Sequence, residues 1–241
     1  MSLAIIINRF CKLSGTILKA FAYLIYFIFP KLRFTIPKVS KAKILSKKSS
    51  LVPKIIWQTN YSNIVTLPVY VNYLFNRLMS LDWEYRYVST EDRLEYIKQN
   101  APKNYIDAFE QLTDGAAQAD FWRLFVLNNI GGVYMDIDAH VVLTLSKLIN
   151  PEDKELFIKS KVRYNNYFLA TAPNNKHFKN TLDLIVDNKL ILEIKTVDFI
   201  NDVHKAQLLT YLKMTNCKLG LLLNFRTDIF KDGVKRVVNG L

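Results

Sequence analysis

A glycine pair near the middle of this 241-residue chain constrains its fold more than any other sequence feature. Gly131-Gly132 follows a stretch over 116–129 that is rich in helix-forming residues, and it precedes a short apolar run. Glycine adopts positive φ without a Cβ clash, so a pair of glycines ends a helix well. The pattern therefore predicts a helix, a sharp break, and then a strand over 133–138.

The predicted strand ends in two carboxylates. Period-two alternation predicts that Tyr134, Asp136 and Asp138 point to one side, with the intervening apolar residues on the other. Two carboxylates so placed suit a hard divalent cation such as Mg²⁺ or Mn²⁺. In an open α/β sheet, the carboxyl end of a strand is also where a nucleotide binds. On the preceding helix, Asp120 and Arg123 lie three residues apart and are predicted to be neighbours.

An Asp-x-Asp by itself is weak evidence for a metal site, because a solvated strand end can have the same sequence. The block from residue 120 to residue 138 is more specific, and it resembles the glycosyltransferases with a DXD sugar-binding region. The resemblance implies that Asp136 and Asp138 hold Mn²⁺ or Mg²⁺. It also implies that Asp120, Arg123 and Tyr134 bind the donor sugar.

The resemblance covers about residues 51–180. Residues 53–59, PKIIWQT, match a string that opens the family's domain, and Trp57 would then stack a nucleotide base. A core tryptophan is the alternative. Strands over 51–60 and 82–88 alternate with helices over 68–79 and 91–100, and the second helix has Ser89 or Thr90 as a predicted cap. Two more strands are predicted over 157–161 and 164–172.

The family implies an α/β, GT-A-like nucleotide-sugar-binding domain. Its activity would be metal-dependent transfer of a sugar from a nucleotide-sugar donor to a glycan or lipid-linked acceptor, with retention of configuration, in polysaccharide or glycan biosynthesis. The sequence does not indicate a catalytic nucleophile or base. The family pattern stops near residue 180 and no Trp follows Trp122, so the domain is expected to be incomplete at its C-terminus. A folded but inactive fusion remnant is the alternative.

Residues 181–241 show a different pattern. Apolar runs over 182–186 and 190–195 flank a predicted hairpin turn, and a helix over 202–214 and a strand over 219–225 follow. This tail resembles the C-terminal half of the GxxExxY proteins, which belong to the PD-(D/E)xK nuclease-like superfamily. The resemblance implies a nuclease-like site at Asp183, Glu193, Lys195 and Gln207. A tail that only completes the transferase sheet is the alternative.

The net charge of +12 lies entirely in the N-terminal third. Residues 1–81 contain twelve basic side chains and no acidic one, while the remaining 160 residues contain 21 of each sign. A neutral globular part argues against strong binding to a phosphate backbone, so nucleic acid is not an expected partner. The two cysteines, Cys11 and Cys217, exclude a disulfide framework and a Cys/His zinc site.

Residues 1–50 combine apolar and basic stretches. The uncharged run over 20–30 is too short to span a bilayer, which takes about twenty residues, and Lys19 precedes it. Eight Lys or Arg residues then lie between Lys31 and Lys54. This pattern predicts that residues 1–54 lie on an anionic membrane surface, at the cytoplasmic face of a bacterial inner membrane. A helix packed on the domain, a targeting presequence and a nucleic-acid-binding run are the alternatives.

Overall fold

The computed structural model describes residues 3–45, 49–112, 114–160, 163–186, 191–195, 197–224 and 230–240. They form two units whose segments alternate along the chain. Unit 1 consists of residues 1–93, 126–156 and 167–174, and unit 2 consists of residues 94–125, 157–166 and 175–241. The predicted domain boundaries at residues 50 and 180 remain predictions.

The elements of the described residues confirm a mixed α/β architecture. The helices are α1 (Leu3–Ile28), α2 (Leu67–Leu78), α3 (Thr90–Asn100), α4 (Lys103–Glu110), α5 (Gly115–Asn129), α6 (Leu145–Leu148), α7 (Lys176–Val186) and α8 (Asp202–Thr215). The strands are β1 (Arg33–Thr35), β2 (Val39–Ser40), β3 (Ile55–Thr59), β4 (Ile64–Thr66), β5 (Glu84–Val88), β6 (Gly132–Met135), β7 (Glu155–Ser160), β8 (Arg163–Thr171), β9 (Ile191–Lys195), β10 (Leu219–Asn224) and β11 (Val234–Val238).

A six-stranded sheet has the spatial order β2-β5-β3-β6-β8-β7. Strand β3 pairs in parallel with both β5 and β6, while β2 and β8 run antiparallel to their neighbours β5 and β6. After β3 the chain passes through α2 to β5, which pairs with one edge of β3. Strand β6, later in the chain, pairs with the other edge of β3. Ligands of open α/β sheets bind at such a switch point, outside the carboxyl ends of the strands.

Several predicted elements are confirmed. Helix α5 and its glycine stop are present, with φ of 77° at Gly131 and 108° at Gly132. Ser89 caps α3, because its Oγ accepts from the Asp92 amide at 3.1 Å while Asp92 Oδ2 accepts from the Ser89 amide at 3.2 Å. This reciprocal pair is a capping box.

The predicted strand over 133–138 is wrong in two respects. Strand β6 ends at Met135, and all four of its residues are buried, so neither face meets solvent. A central strand covered on both faces need not alternate in polarity. Asp136 and Asp138 therefore lie beyond the strand, in a turn closed by a 3.0 Å hydrogen bond from the Ala139 amide to the Asp136 carbonyl.

In unit 2, helix α8 packs on a second sheet with the order β11-β10-β9. Strand β10 is parallel to β9 and antiparallel to β11. Leu208 and Leu212 from the helix form a buried cluster with Cys217 and Leu222. Gly220 lets the helix approach closely, because a Cβ there would lie 2.9 Å from the Leu208 side chain.

The predicted hairpin over 182–195 is wrong. Residues 182–186 belong to helix α7, and β9 pairs in parallel with β10. The Asn175 Oδ1 accepts from the amides of His177 and Phe178, which starts the helix, and the buried Phe178 and Leu182 are four residues apart, as on one helix face. The predicted turn at 187–189 lies outside the described residues.

Helix α1 packs on α2 along one face and leaves its other faces exposed. Its large apolar side chains with exposed fractions of 46–85% are Phe10, Leu13, Ile17, Leu18, Phe21, Tyr23, Leu24, Phe27 and Ile28. The helical stretch Arg9–Ile28 contains 20 residues and is long and apolar enough to cross a membrane, by length and composition only. The prediction that the segment is too short to span a bilayer therefore holds only for its uncharged run over 20–30.

Candidate functional site

The glycine pair is required by close backbone contacts around β6. A Cβ on Gly132 would lie 2.6 Å from the Ile55 carbonyl oxygen, and one on Gly131 would lie 2.7 Å from the Thr171 carbonyl oxygen. Both glycines also have positive φ, which residues with a side chain rarely adopt. The pair thus lets β6 enter the sheet between β3 and β8 and sets where the following turn begins.

Trp57 contacts this glycine break. Its indole Nε1 donates to the Gly131 carbonyl at 2.9 Å, its side chain is 2% exposed, and the Arg86 guanidinium lies 4.8 Å above its ring. A base stacked on this ring would have to displace Arg86. The burial supports the core alternative over the predicted nucleotide-stacking role, and Trp57 holds the glycine break to β3.

Three buried side-chain amides fix the turn that carries the acidic pair. Gln58 donates to the Asp136 carbonyl at 2.9 Å, and Asn72 donates to the carbonyls of Ile137 and Ala139, both at 2.8 Å. Asn76 also donates to the Ala139 carbonyl, at 2.9 Å. These amides are at most 2% exposed. Buried bonds of this kind are costly to break, so the turn is held in one conformation.

The two carboxylates differ in their surroundings. The Tyr134 hydroxyl donates to Asp136 Oδ1 at 3.0 Å, and Asp136 is half-buried. Asp138 is exposed, and its carboxylate accepts no hydrogen bond from the described residues. Its backbone carbonyl accepts a hydrogen bond from the Lys19 ammonium of α1. Tyr134 and Asp136 thus share one side, as the period-two pattern predicted, but Tyr134 is only 3% exposed.

A divalent cation fits the chemistry of this turn. The turn's carbonyls are already engaged by amides and by Lys19, which leaves the carboxylates as its oxygen donors for a hard cation. The described residues contain no group of three or more His, Cys, Asp or Glu side chains arranged for a metal. Asp136 and Asp138 would therefore share the ion with ligands from water or substrate, as Mg²⁺ commonly does at phosphate sites.

A buried guanidinium lies at the carboxyl end of the parallel strands. Arg93 is 3% exposed and donates to the hydroxyls of Thr59 at 2.8 Å and Thr90 at 2.9 Å. Among the described residues it has no carboxylate partner. Burial lowers the pKa of Arg93, and the nearby Tyr134 phenol acts in the opposite direction. Arg93 therefore supplies a fixed positive charge beside the tyrosine that holds Asp136.

Asp120 and Arg123 lie in unit 2, on α5. The Arg123 guanidinium donates to Asp120 Oδ1, as the three-residue spacing predicted. The arginine side chain is 11% exposed and the aspartate side chain is 39% exposed. The pair thus presents a partly accessible carboxylate whose orientation is set by its arginine neighbour.

The polar residues of the predicted nuclease-like site are only partly brought together. The Lys195 ammonium forms an ion pair with Glu193 at 2.7 Å and donates to Gln207 Oε1 at 2.9 Å. Asp183 lies on helix α7 instead of the predicted strand, and its carboxylate accepts from the Tyr105 hydroxyl. Glu193, Lys195 and Gln207 therefore form a connected cluster, while Asp183 joins α7 to α4.

Two parts of the chain match models of known protein families. Residues 68–156 match the family model described as "Glycosyltransferase sugar-binding region containing DXD motif", and this range includes the clamped turn. The chain carries a DXD-type glycosyltransferase region. A second model, the PD-(D/E)XK nuclease superfamily, matches residues 159–237 and so begins upstream of residue 181.

Relatives of the DXD region include two mannosyl phosphorylinositol ceramide synthases of Saccharomyces cerevisiae. One is 31% identical over 125 residues, covering 48% of this chain and 32% of the relative; the other is 27% identical over 140 residues, covering 54% and 36%. The chain thus spans about a third of the length of these relatives. A solved structure, PaToxG Glycosyltransferase, aligns with a TM-score of 0.45 and 19% identity over 59% of this chain and 62% of that one.

The sequence pattern missed the residues that hold the turn over 136–139, the DXD turn. The pattern predicts no role for Gln58 beyond its place in the matched string, and it places Asn72 and Asn76 only within a predicted helix. Their signal is a pair of asparagines four residues apart, on one face of a largely apolar helix. Buried amides in such a place require partners, and a loop with free carbonyls supplies them.

Proposed function

We propose that the chain is a metal-dependent glycosyltransferase that binds a nucleotide-sugar donor at the DXD turn. The observation that carries this proposal is the clamping of the Asp136–Asp138 turn by three buried amides, at the carboxyl ends of the parallel strands β3 and β6. A turn held this firmly keeps the backbone of its two aspartates in place without a ligand. Such pre-organisation reduces the cost of binding.

Each residue has a distinct task in this proposal. Asp136 and Asp138 hold Mn²⁺ or Mg²⁺, which offsets negative charge on the leaving diphosphate. Tyr134 orients Asp136 through its hydroxyl. Asp120 and Arg123 bind hydroxyls of the donor sugar, with the guanidinium fixing the direction of the carboxylate. Retention of configuration is implied by the family resemblance.

The decisive test is turnover of the donor. UDP- and GDP-sugars are incubated with the full chain, with and without Mn²⁺, and release of the nucleotide diphosphate is measured. Asp138→Asn is expected to reduce the Mn²⁺-dependent rate at least tenfold, because it removes one of the two carboxylates. The matched control Glu152→Gln neutralises an exposed carboxylate elsewhere in unit 1 and is expected to leave the rate unchanged. Equal rates in both variants would exclude the proposal, as would a folded chain with no turnover of any donor.

The acceptor is proposed to be lipid-linked, with a glycan as the second option. The yeast relatives are named as synthases of a mannosylated phosphorylinositol ceramide, and residues 9–28 of helix α1 expose nine large apolar side chains. An enzyme held at a membrane meets lipid-linked acceptors at high local concentration. Mannose is accordingly the first donor sugar to test.

The membrane contact is proposed to be α1 together with the basic residues up to Lys54. Exposed apolar side chains enter the interface, while the Lys and Arg residues over 31–54 attract anionic headgroups, apart from Lys38 and Lys54, which are paired with Asp92 and Asp82. In a bacterium, this corresponds to the cytoplasmic face of the inner membrane.

Binding to vesicles tests this contact. The full chain is expected to co-sediment with vesicles that contain phosphatidylserine and less with pure phosphatidylcholine, with a loss of binding in high salt. Phe21→Glu places a charge on the exposed face and is expected to weaken binding. Tyr61→Glu adds the same charge in place of an exposed aromatic ring outside residues 1–54 and measures the effect of charge alone. Equal binding to both vesicle types would contradict the proposed attraction between the basic residues and anionic headgroups.

The nuclease alternative is not favoured. Glu193 is already paired with Lys195, and Asp183 lies on a helix with its carboxylate bound to Tyr105. The charge balance beyond residue 81 also provides no excess of cations for a nucleic acid.

A further inference from the structure

Helix α1 reaches the DXD turn with its inner face. The Lys19 ammonium donates to the Asp138 carbonyl, and the Asp138 charge attracts it. One helical turn earlier, Gly15 lies against His140, so closely that a Cβ there would be 3.1 Å from the imidazole Cδ2. The same helix therefore contacts both the second aspartate of the turn and the residue two positions beyond it.

Lys19 differs from the other cations of α1. Arg9 and Lys12 are exposed, whereas Lys19 is half-buried and is flanked along the helix by apolar residues. An ammonium in an apolar surface is costly unless it finds a partner. The Asp138 carbonyl is that partner, and it lies on the one part of the turn that the amides of Gln58, Asn72 and Asn76 do not hold.

We infer that Lys19 is a positioning residue for the DXD turn, so that the helix whose outer face meets lipid also completes the donor site with its inner face. The significance of this contact for donor binding rests on the proposed function. Lys19 fixes the backbone of Asp138, and thereby the position from which its carboxylate reaches the ion. The membrane helix is then a structural part of the catalytic unit in addition to an anchor.

The test compares Lys19→Met with Arg9→Met in the full chain on phosphatidylserine-containing vesicles. Each variant removes one positive charge from the same helix, but only Lys19 contacts the turn. Hydrogen exchange of the amides over 136–141 is expected to rise in Lys19→Met and to stay unchanged in Arg9→Met. The KM for the nucleotide sugar is expected to rise roughly three- to tenfold in Lys19→Met, as expected for one lost hydrogen bond, with kcat and vesicle binding retained.

Lys19→Arg keeps a donor on the helix and is expected to restore both the exchange rate and KM. Exchange rates and KM values that match those of Arg9→Met would overturn the inference. If no variant turns over a nucleotide sugar while Lys19→Met still loosens residues 136–141, the proposed function fails and the positioning role of Lys19 stands. A thermal melt of each variant separates a loosened turn from a general loss of folding.

Discussion

The indole nitrogen of Trp57 donates a 2.9 Å hydrogen bond to the carbonyl of Gly131. This bond ties the first parallel strand to the glycine break that precedes the DXD turn. It explains why a large aromatic residue and a glycine pair, 74 positions apart, occur together in this chain. The position of the acidic pair follows from this packing, because the break decides where β6 starts.

Gly132→Ala is expected to destabilise the protein strongly. Its Cβ would meet the Ile55 carbonyl at 2.6 Å, and its φ of 108° is strained for alanine. Backbone strain of this kind costs about 1–3 kcal/mol before the clash is counted. Urea denaturation of the variant measures the loss. Gly115→Ala is the control, because nothing lies within 4 Å of its Cβ; an equal loss in both variants would contradict the packing argument.

Trp57→Phe is expected to reduce stability without changing nucleotide affinity. The substitution keeps an aromatic ring but leaves the buried Gly131 carbonyl without its indole donor. An unsatisfied buried acceptor costs about 1–3 kcal/mol. Thermal denaturation and titration with UDP and GDP, with Mn²⁺ present, measure the two effects. A large loss of nucleotide affinity in a stable variant would instead support the base-stacking role.

Asn76→Ala is expected to loosen the DXD turn. Asn76 is fully buried and joins α2 to the Ala139 carbonyl and to the Val141 amide. Its removal leaves the Val141 amide unpaired, at a cost of about 1–3 kcal/mol, while the Ala139 carbonyl keeps its bond from Asn72. We expect a lower melting temperature and weaker Mn²⁺-dependent donor binding, measured by calorimetry. Asn100→Ala removes an exposed amide that bonds only within its own helix, and it should change neither quantity.

Tyr105→Phe is expected to destabilise unit 2 by roughly 1 kcal/mol. The variant keeps the aromatic contacts with Phe121 and Phe125 but loses the hydroxyl that donates to Asp183. Chemical denaturation followed by near-ultraviolet circular dichroism reports the change. Tyr61→Phe removes a hydroxyl from a side chain that is 85% exposed and serves as the control. An unchanged midpoint in Tyr105→Phe would show that the bond between α4 and α7 contributes nothing.

His140 is expected to make the stability of unit 1 sensitive to acid. Burial lowers the pKa of His140 below its ordinary value, and the charges of Lys19 and Lys12 lower it further. The unfolded chain therefore binds the proton more tightly than the folded chain. The stability contributed by the neutral imidazole is complete above the unfolded pKa of about 6.5 and is lost as the pH falls through the folded pKa.

Melting temperatures of His140→Gln and of the unmodified chain, measured between pH 8 and pH 5, check this expectation. The decrease on acidification should be smaller in the variant. His177→Gln replaces an exposed histidine and should leave the decrease unchanged. Identical pH profiles for all three proteins would refute the role of His140.

The sequence determined the parts of this protein that depend on neighbouring residues. The helix over 115–129, its glycine stop and the Ser89 cap follow from backbone freedom and from side chains that bond within a few positions. The Asp120–Arg123 contact follows from helix geometry in the same way.

Tertiary structure decided what no short pattern carries. The burial of β6 on both faces ended the expected alternation, and the burial of Phe178 and Leu182 on one helix face made a helix of the expected hairpin strand. The hold on the DXD turn comes from Gln58, Asn72, Asn76 and Lys19, which lie 63 to 119 positions away from the carbonyls they bind. Hydrogen bonds over such separations exist only once the strands and helices have assembled, and for that reason the sequence located the acidic pair but not the groups that fix it.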